Sequence, residues 1–141
     1  MTTKGHDVMN PLRLASTLSS ETEDLVRRTI GALLAVHREL GSGMSESIYA
    51  AAVRIELAAR GIPFTHEVAT PVHYRGHLLG HQRIDLLVDD RLVVEIKSVE
   101  ALHPAHVAQL VSYLRVTGKR VGLLANFNVP VLKAGLRRIV R

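Results

Sequence analysis

Helical periodicity in the first third of the chain, a pair of adjacent short apolar runs in the middle, and a helix followed by two more strand-like runs after Pro104 together predict an α/β domain with a mixed central sheet flanked by helices. Residues 1–19 are polar, aperiodic and interrupted by Pro11, which reads as a flexible N-terminal arm; residues 20–141 read as a single domain. Ser20 with Glu23 three residues later resembles a capping box, and Val26, Ile30, Leu33, Leu34, His37 and Leu40 then recur at helical spacing as far as Gly41. Gly41-Ser42-Gly43 breaks that helix, and a second is expected from about Met44 to Arg60, with Ile48, Ala52, Ile55 and Ala59 as its core stripe. Gly61-Ile62-Pro63 ends it.

Phe64 to Arg75 alternates as a strand does, with Pro71 arguing for an edge or bend and Gly76 for a turn. Ile84-Asp85-Leu86-Leu87-Val88 and Leu92-Val93-Val94-Glu95-Ile96 follow as two strands joined at Asp89-Asp90-Arg91. Pro104 opens a third helix with the stripe Val107, Leu110, Val111 and Leu114, and Gly118 caps it. Arg120 to Ala125 reads as a buried strand and Leu136 to Val140 as a last apolar one.

The charges inside the central hairpin are the informative feature. Asp85 and Glu95-Ile96-Lys97 stand in runs where charge ordinarily costs stability. Strand alternation puts Leu92, Val94 and Ile96 on one face and Val93, Glu95 and Lys97 on the other, where Asp85 can join them. Two carboxylates and an ammonium are expensive to desolvate separately, but together they can hold a divalent cation and a phosphate.

Composition narrows the chemistry. At 141 residues and 47% hydrophobic the chain suits one domain with a full core. No apolar run approaches the roughly 20 residues that span a bilayer, and the N-terminus lacks the regions of a signal peptide, so a cytoplasmic protein without membrane association is expected. Cysteine is absent, which excludes disulfides, thiolate nucleophiles and cysteine metal sites. The net charge of +5 is uneven: residues 101–141 carry no acid and seven Lys and Arg, leaving eleven against all thirteen acids in the first hundred. Arg115, Lys119, Arg120, Lys133, Arg137 and Arg138 are therefore candidate phosphate-gripping residues.

Glu46 and Tyr49 share a face of the second helix with Val53, one that need not be its core stripe, and a carboxylate there could reach the hairpin. His106, Gln109 and Tyr113 share a face of the third helix and could line the same cleft. His37, on an apolar helix face, reads as a hydrogen-bonded interior residue rather than a ligand. His73, His77 and His81 recur every four residues, but Gly76 and Gly80 break any helix there, so the spacing does not bring them to one face. Tyr74 and Phe127 are too few to make a base-stacking platform.

Gly43-Met44-Ser45-Glu46-Ser47-Ile48-Tyr49 matches the GxxExxY signature, and with His37 to Gly41, the acidic hairpin, the Gln109 and Tyr113 helix and Gly122 to Phe127, the chain resembles the GxxExxY protein family of the PD-(D/E)xK nuclease superfamily from about Leu25 to Val140. The proline that often precedes the first acid is replaced by Ile84. The resemblance implies a restriction-endonuclease-like core and a metal-dependent nuclease acting on nucleic acid, with DNA the first expectation. It implies Glu46, Asp85 and Glu95 as metal-side carboxylates, the Ile96 carbonyl as a further ligand to Mg or Mn, and Lys97 as the charge that positions water or neutralises the phosphate. Gln109 and Tyr113 are implied as a supporting pair. The alternative is a catalytically inactive nucleic-acid-binding or protein-interaction module on the same scaffold; a homodimer is a third arrangement, because a domain this small offers limited area for a duplex.

Overall fold

The capping chemistry starts the first helix one residue earlier than expected. Ser19, not Ser20, is the cap: its hydroxyl accepts a hydrogen bond from the Thr22 amide at 3.1 Å. Glu23 is thereby released from a capping role, and its carboxylate accepts two hydrogen bonds from the Arg138 guanidinium, at 2.8 and 2.6 Å. A computed structural model describes residues 17–141, in the order α1 (Ser20–Leu40), α2 (Glu46–Ala59), β1 (Phe64–Tyr74), β2 (His77–Val88), β3 (Leu92–Lys97), α3 (Pro104–Thr117), β4 (Val121–Asn126), a 3-10 turn (Leu132–Gly135) and β5 (Leu136–Val140). Most of the expected arm, residues 1–16, lies outside the described residues. Its last positions belong to the domain, since Leu18 is buried in the core and Ser19 caps α1.

The five strands form one sheet in the order β1-β2-β3-β4-β5. β3 and β4 are parallel and every other pair is antiparallel. A parallel pair needs a crossover, and α3 supplies it. Residues of α1 and α2 (Leu25, Leu33, Tyr49, Val53, Leu57) pack on one sheet face with Leu86, Val94, Ile96 and Leu123. On the other face Leu110, Tyr113 and Leu114 of α3 pack with Ile84, Val93 and Leu124. α3 sits so close that a Cβ on Gly122 would stand 2.7 Å from Leu110 Cδ1. The mixed sheet flanked by helices is as expected, and β1 and β2 are a longer hairpin than the run Ile84–Val88 suggested.

The buried stripe of α2 differs from the expectation. Tyr49, Val53 and Leu57 face the core, while Ile48 and Ile55 are 49% and 71% exposed and Ala59 is exposed. Ala52 is only partly buried. With apolar residues all round, α2 offers two apolar stripes, and the one carrying the aromatic ring, which buries the larger area, is turned inward. The face shared by Glu46, Tyr49 and Val53 is therefore the core face.

Candidate active site

β2 and β3 pair conventionally from Val88↔Leu92 to Leu86↔Val94, and then the ladder changes character. At the next position the Asp85 amide donates to Glu95 Oε2 at 2.9 Å, and the Ile96 amide donates to Asp85 Oδ2 at 2.9 Å. Each carboxylate replaces a main-chain carbonyl as acceptor for the opposite strand. Side-chain alternation inverts at the same point: Leu86 and Val88 pack with α1 and α2, but Ile84, which strict alternation would place with them, packs with α3. Its neighbour across the hairpin, Val68, does the same. Between them stand Asp85 and, on β1, Glu67, which takes a positive φ of 52°. At this break the Asp85 and Glu95 carboxylates each meet the opposite strand's amide.

Glu95 is 2% exposed. Burial and then the neighbouring Asp85 charge push its carboxyl up to about 8, against the weaker opposing pull of the Asp85 amide and Lys97. Burial also raises Asp85, opposed by the Ile96 amide and Lys97, and it raises Glu46, opposed chiefly by Lys97. Lys97 Nζ donates to Gln109 Oε1 at 3.3 Å, and Gln109 also bonds the Tyr113 hydroxyl. The phenol is pushed up to about 12 by burial and by the negative charges of Glu95 and Asp85. Glu46, Asp85, Glu95, Lys97, Gln109 and Tyr113, expected together from sequence, are thus linked by hydrogen bonds or mutual electrostatic influence.

Among the described residues, no three His or acidic side chains stand close enough to enclose an ion by themselves. Asp85 and Glu95 meet, whereas Glu46 is felt electrostatically from the start of α2. That donor set still fits Mg or Mn, since Mg is commonly bound through one or two carboxylates with waters and substrate phosphate completing the octahedron. One oxygen of each acid is used by an amide, which leaves Asp85 Oδ1 and Glu95 Oε1 as acceptors for a cation.

The signature residues of α2 hold the approach to the site. Tyr49, fully buried and stacked on Phe127 at 4.6 Å, donates its hydroxyl to Gly41 O and accepts from the Met44 amide. It thereby ties down the loop through Gly43 (φ 101°) that leads into Glu46. Ser98 Oγ donates to Met44 O at 2.7 Å, fastening this loop to the end of β3. Sequence reasoning missed Ser98 and also Asn126, which is 2% exposed; its Oδ1 accepts from the Val99 amide and its Nδ2 donates to Val99 O, both at 3.0 Å. A polar residue closing the apolar run Val121–Ala125 was the available signal.

A family model described as the PD-(D/E)XK nuclease superfamily matches residues 23–139. The chain belongs to the PD-(D/E)XK nuclease superfamily. No curated protein and no solved structure matches it. The five-stranded sheet with its flanking helices is accordingly the restriction-endonuclease-like core of that superfamily.

Other expected residues have different surroundings. His37 Nε2 lies 2.8 Å from Val129 O in the interior, an interior residue as expected. Phe127 is fully buried, so of the two candidate stacking aromatics only Tyr74 faces solvent. The basic residues do not gather at the acids. Lys119 pairs with Asp90, and Arg120 Nε donates to Arg141 O, at the end of the sheet where β3 and β4 begin. Arg115 is in the last turn of α3. Arg137 donates to Ala134 O and Leu136 O, and Arg138 is bound to Glu23. Lys133 lies on the 3-10 turn. Among the described residues no helix is long and apolar enough to cross a membrane.

Proposed function

We propose that this protein is a metal-dependent nuclease of the GxxExxY type that hydrolyses phosphodiester bonds of nucleic acid, DNA in the first instance, at the cluster around Asp85 and Glu95. The reading is carried by one observation: two carboxylates, each surrendering one oxygen to the opposite strand's amide, stand together in the hairpin beside Lys97. Nothing in a purely structural role requires a buried acid to face a half-buried one, because burying like charges opposes folding. Asp85, Glu95 and the Ile96 carbonyl would hold Mg or Mn, with Glu46 as the outer carboxylate. A bound ion of this kind acidifies water and polarises the phosphoryl group.

The protein's own groups do the rest. Lys97, steadied by Gln109, offers positive charge to the phosphate as negative charge grows in the transition state. Tyr113, kept protonated by its surroundings, holds Gln109 in place. Arg115, Lys119, Arg120, Lys133, Arg137 and Arg138 contribute a long-range attractive field for a polyanion, several of them while bound within the fold. A homodimer would use the outward stripe of α2, where Ile48 and Ile55 are exposed, with Met44 in the loop before it; light scattering on the wild type and Ile55→Glu tests it.

The decisive experiment is cleavage of plasmid, linear duplex, single-stranded DNA and RNA with Mg or Mn, comparing wild type with Asp85→Asn and Glu95→Gln. Cleavage by the wild type and loss in both variants, with circular dichroism unchanged, is the expected result. Salt-dependent binding without cleavage, indifferent to both substitutions, would instead establish the inactive binding module.

A further inference from the structure

The β1–β2 hairpin reaches well beyond the sheet. β3 pairs with β2 only over Leu86–Val88, so the hairpin from Ala69 to Gln82 has no third strand beside it. Its root is fixed: Gln82 Nε2 donates to Ser112 Oγ of α3 at 2.8 Å, Arg83 pairs with Glu67, and Val68 and Leu87 pack against the α3 cluster. Its tip is a two-residue turn at Arg75-Gly76, both with positive φ. There Tyr74, Leu78 and Leu79 are 63%, 56% and 67% exposed. The Arg75 guanidinium lies over the Tyr74 ring at 5.9 Å. Val72 pairs with Gly80 and His73 with Leu78, so Leu79 is a bulged residue with no partner across the ladder, the arrangement that re-aims a side chain.

Charge identifies the occupant. From Ala69 to Gln82 there is no Asp or Glu, while Arg75 stands at the tip and His73, His77 and His81 add imidazole hydrogen-bonding groups; Arg83 is spent on Glu67. An acid-free ribbon with a guanidinium and an apolar, aromatic tip suits a polyanion that also offers stacked bases. A two-stranded ribbon fits a duplex groove, and apolar side chains such as Leu can wedge between base steps. The ribbon's second strand runs directly into Asp85. The six steps from Leu79 to Asp85 extend about 20 Å at ~3.3 Å per residue, or about six base pairs at ~3.4 Å each.

We propose that the β1–β2 arm is a nucleic-acid clamp that grips the duplex flanking the cleavage site, with Arg75 on the phosphate backbone and Leu79 against the bases about six base pairs from the acids. The inference rests on the nuclease reading above and deepens it: the substrate is nucleic acid with a duplex flank long enough to reach the tip.

The test uses Arg75→Asn with Leu79→Ser, because Asn suits the positive φ of the turn and Leu79 is exposed. Duplexes extending four or twelve base pairs beyond the cut are compared by kcat/KM, and their binding by fluorescence anisotropy in calcium at several salt concentrations. The expected result is that the wild type prefers the longer flank by about tenfold, that the double variant loses this preference, and that the salt slope of its binding falls by about one phosphate contact. An unchanged long-to-short ratio and salt slope would overturn the clamp. So would a wild-type dimer that the variant converts to monomer in sedimentation, which would make the arm a contact between copies. If the wild type cuts nothing, the nuclease reading fails, while anisotropy on the two flank lengths still decides whether the arm holds duplex.

Discussion

Replacing Glu95 by Gln isolates the energetic consequence of burying an acid beside another acid. The amide keeps an oxygen for the Asp85 N–H but cannot ionise. In the folded wild type the carboxyl is raised from 4.5 to about 8, so the native state binds more protons than the unfolded chain throughout that window. Stability is therefore full below pH 4.5 and is lost as pH rises through 8. At about 1.4 kcal/mol per pH unit the raised value sets an upper bound of about 5 kcal/mol, and hydration around half-buried Asp85 with the counter-charge of Lys97 brings the expected loss to about 2–3 kcal/mol. Urea unfolding in EDTA at pH 5 to 9 measures it. Glu95→Gln should match or slightly trail the wild type at pH 5, exceed it by about 2–3 kcal/mol at pH 9, and keep a shallower slope of the same sign, because Asp85 and Glu46 are also raised. Parallel stability curves for the two proteins would refute the argument.

Mg at about a hundred times its dissociation constant should stabilise the wild type by about 2.7 kcal/mol and leave Glu95→Gln nearly unaffected, as read by thermal melting at pH 8. Gly135→Ala should cost about 2–4 kcal/mol in urea unfolding, because its Cβ would be driven into the Asn126 carbonyl and so disturb the turn behind the site. Asp90→Gly should raise stability by up to about 1 kcal/mol: Asp89 and Asp90 both take positive φ in the β2–β3 turn, and the Asp90–Lys119 pair it sacrifices has an acid 84% exposed.

Order along the chain was legible because caps and breakers are local: Pro104 and Gly118 bound α3, and Gly76 makes its turn. What failed to show was which of two apolar stripes on α2 faces inward, since Ile48 and Ile55 compete with Tyr49, Val53 and Leu57 until a sheet is present to receive the ring. Periodicity also could not reveal the inversion at Asp85, because period-two alternation assumes an unbroken ladder and Glu67 with Asp85 breaks it. The six basic residues were visible as charge, but the partners that occupy Arg138, Arg120 and Lys119 come from Glu23, Arg141 and Asp90, far away in sequence. The acids and Lys97 were legible because charge inside an apolar run demands an explanation.

An acid pair that opposes folding must be held by groups that cannot yield, and the surrounding bonds supply this. Asn126 fixes Val99 and the Phe127 amide donates to Lys97 O at 2.9 Å, so the chain leaving Lys97 is stapled to β4. Ser98 joins that segment to Met44, and Tyr49 joins Met44 to Gly41. The end of β4, the segment around Lys97 and the start of α2 are thereby locked to one another by neutral hydrogen bonds, whose strength does not depend on ionisation, while Asp85 is held to β3 by the two carboxylate–amide bonds. Spreading the acids apart would break both of those carboxylate–amide bonds, at roughly 1 kcal/mol or more each. The remaining route to relief is to add positive charge between the acids, as a proton at Glu95 or as a cation on the open oxygens of both. The frame that holds the two acids together therefore favours positive charge beside them, and on the proposed nuclease reading that charge is the metal.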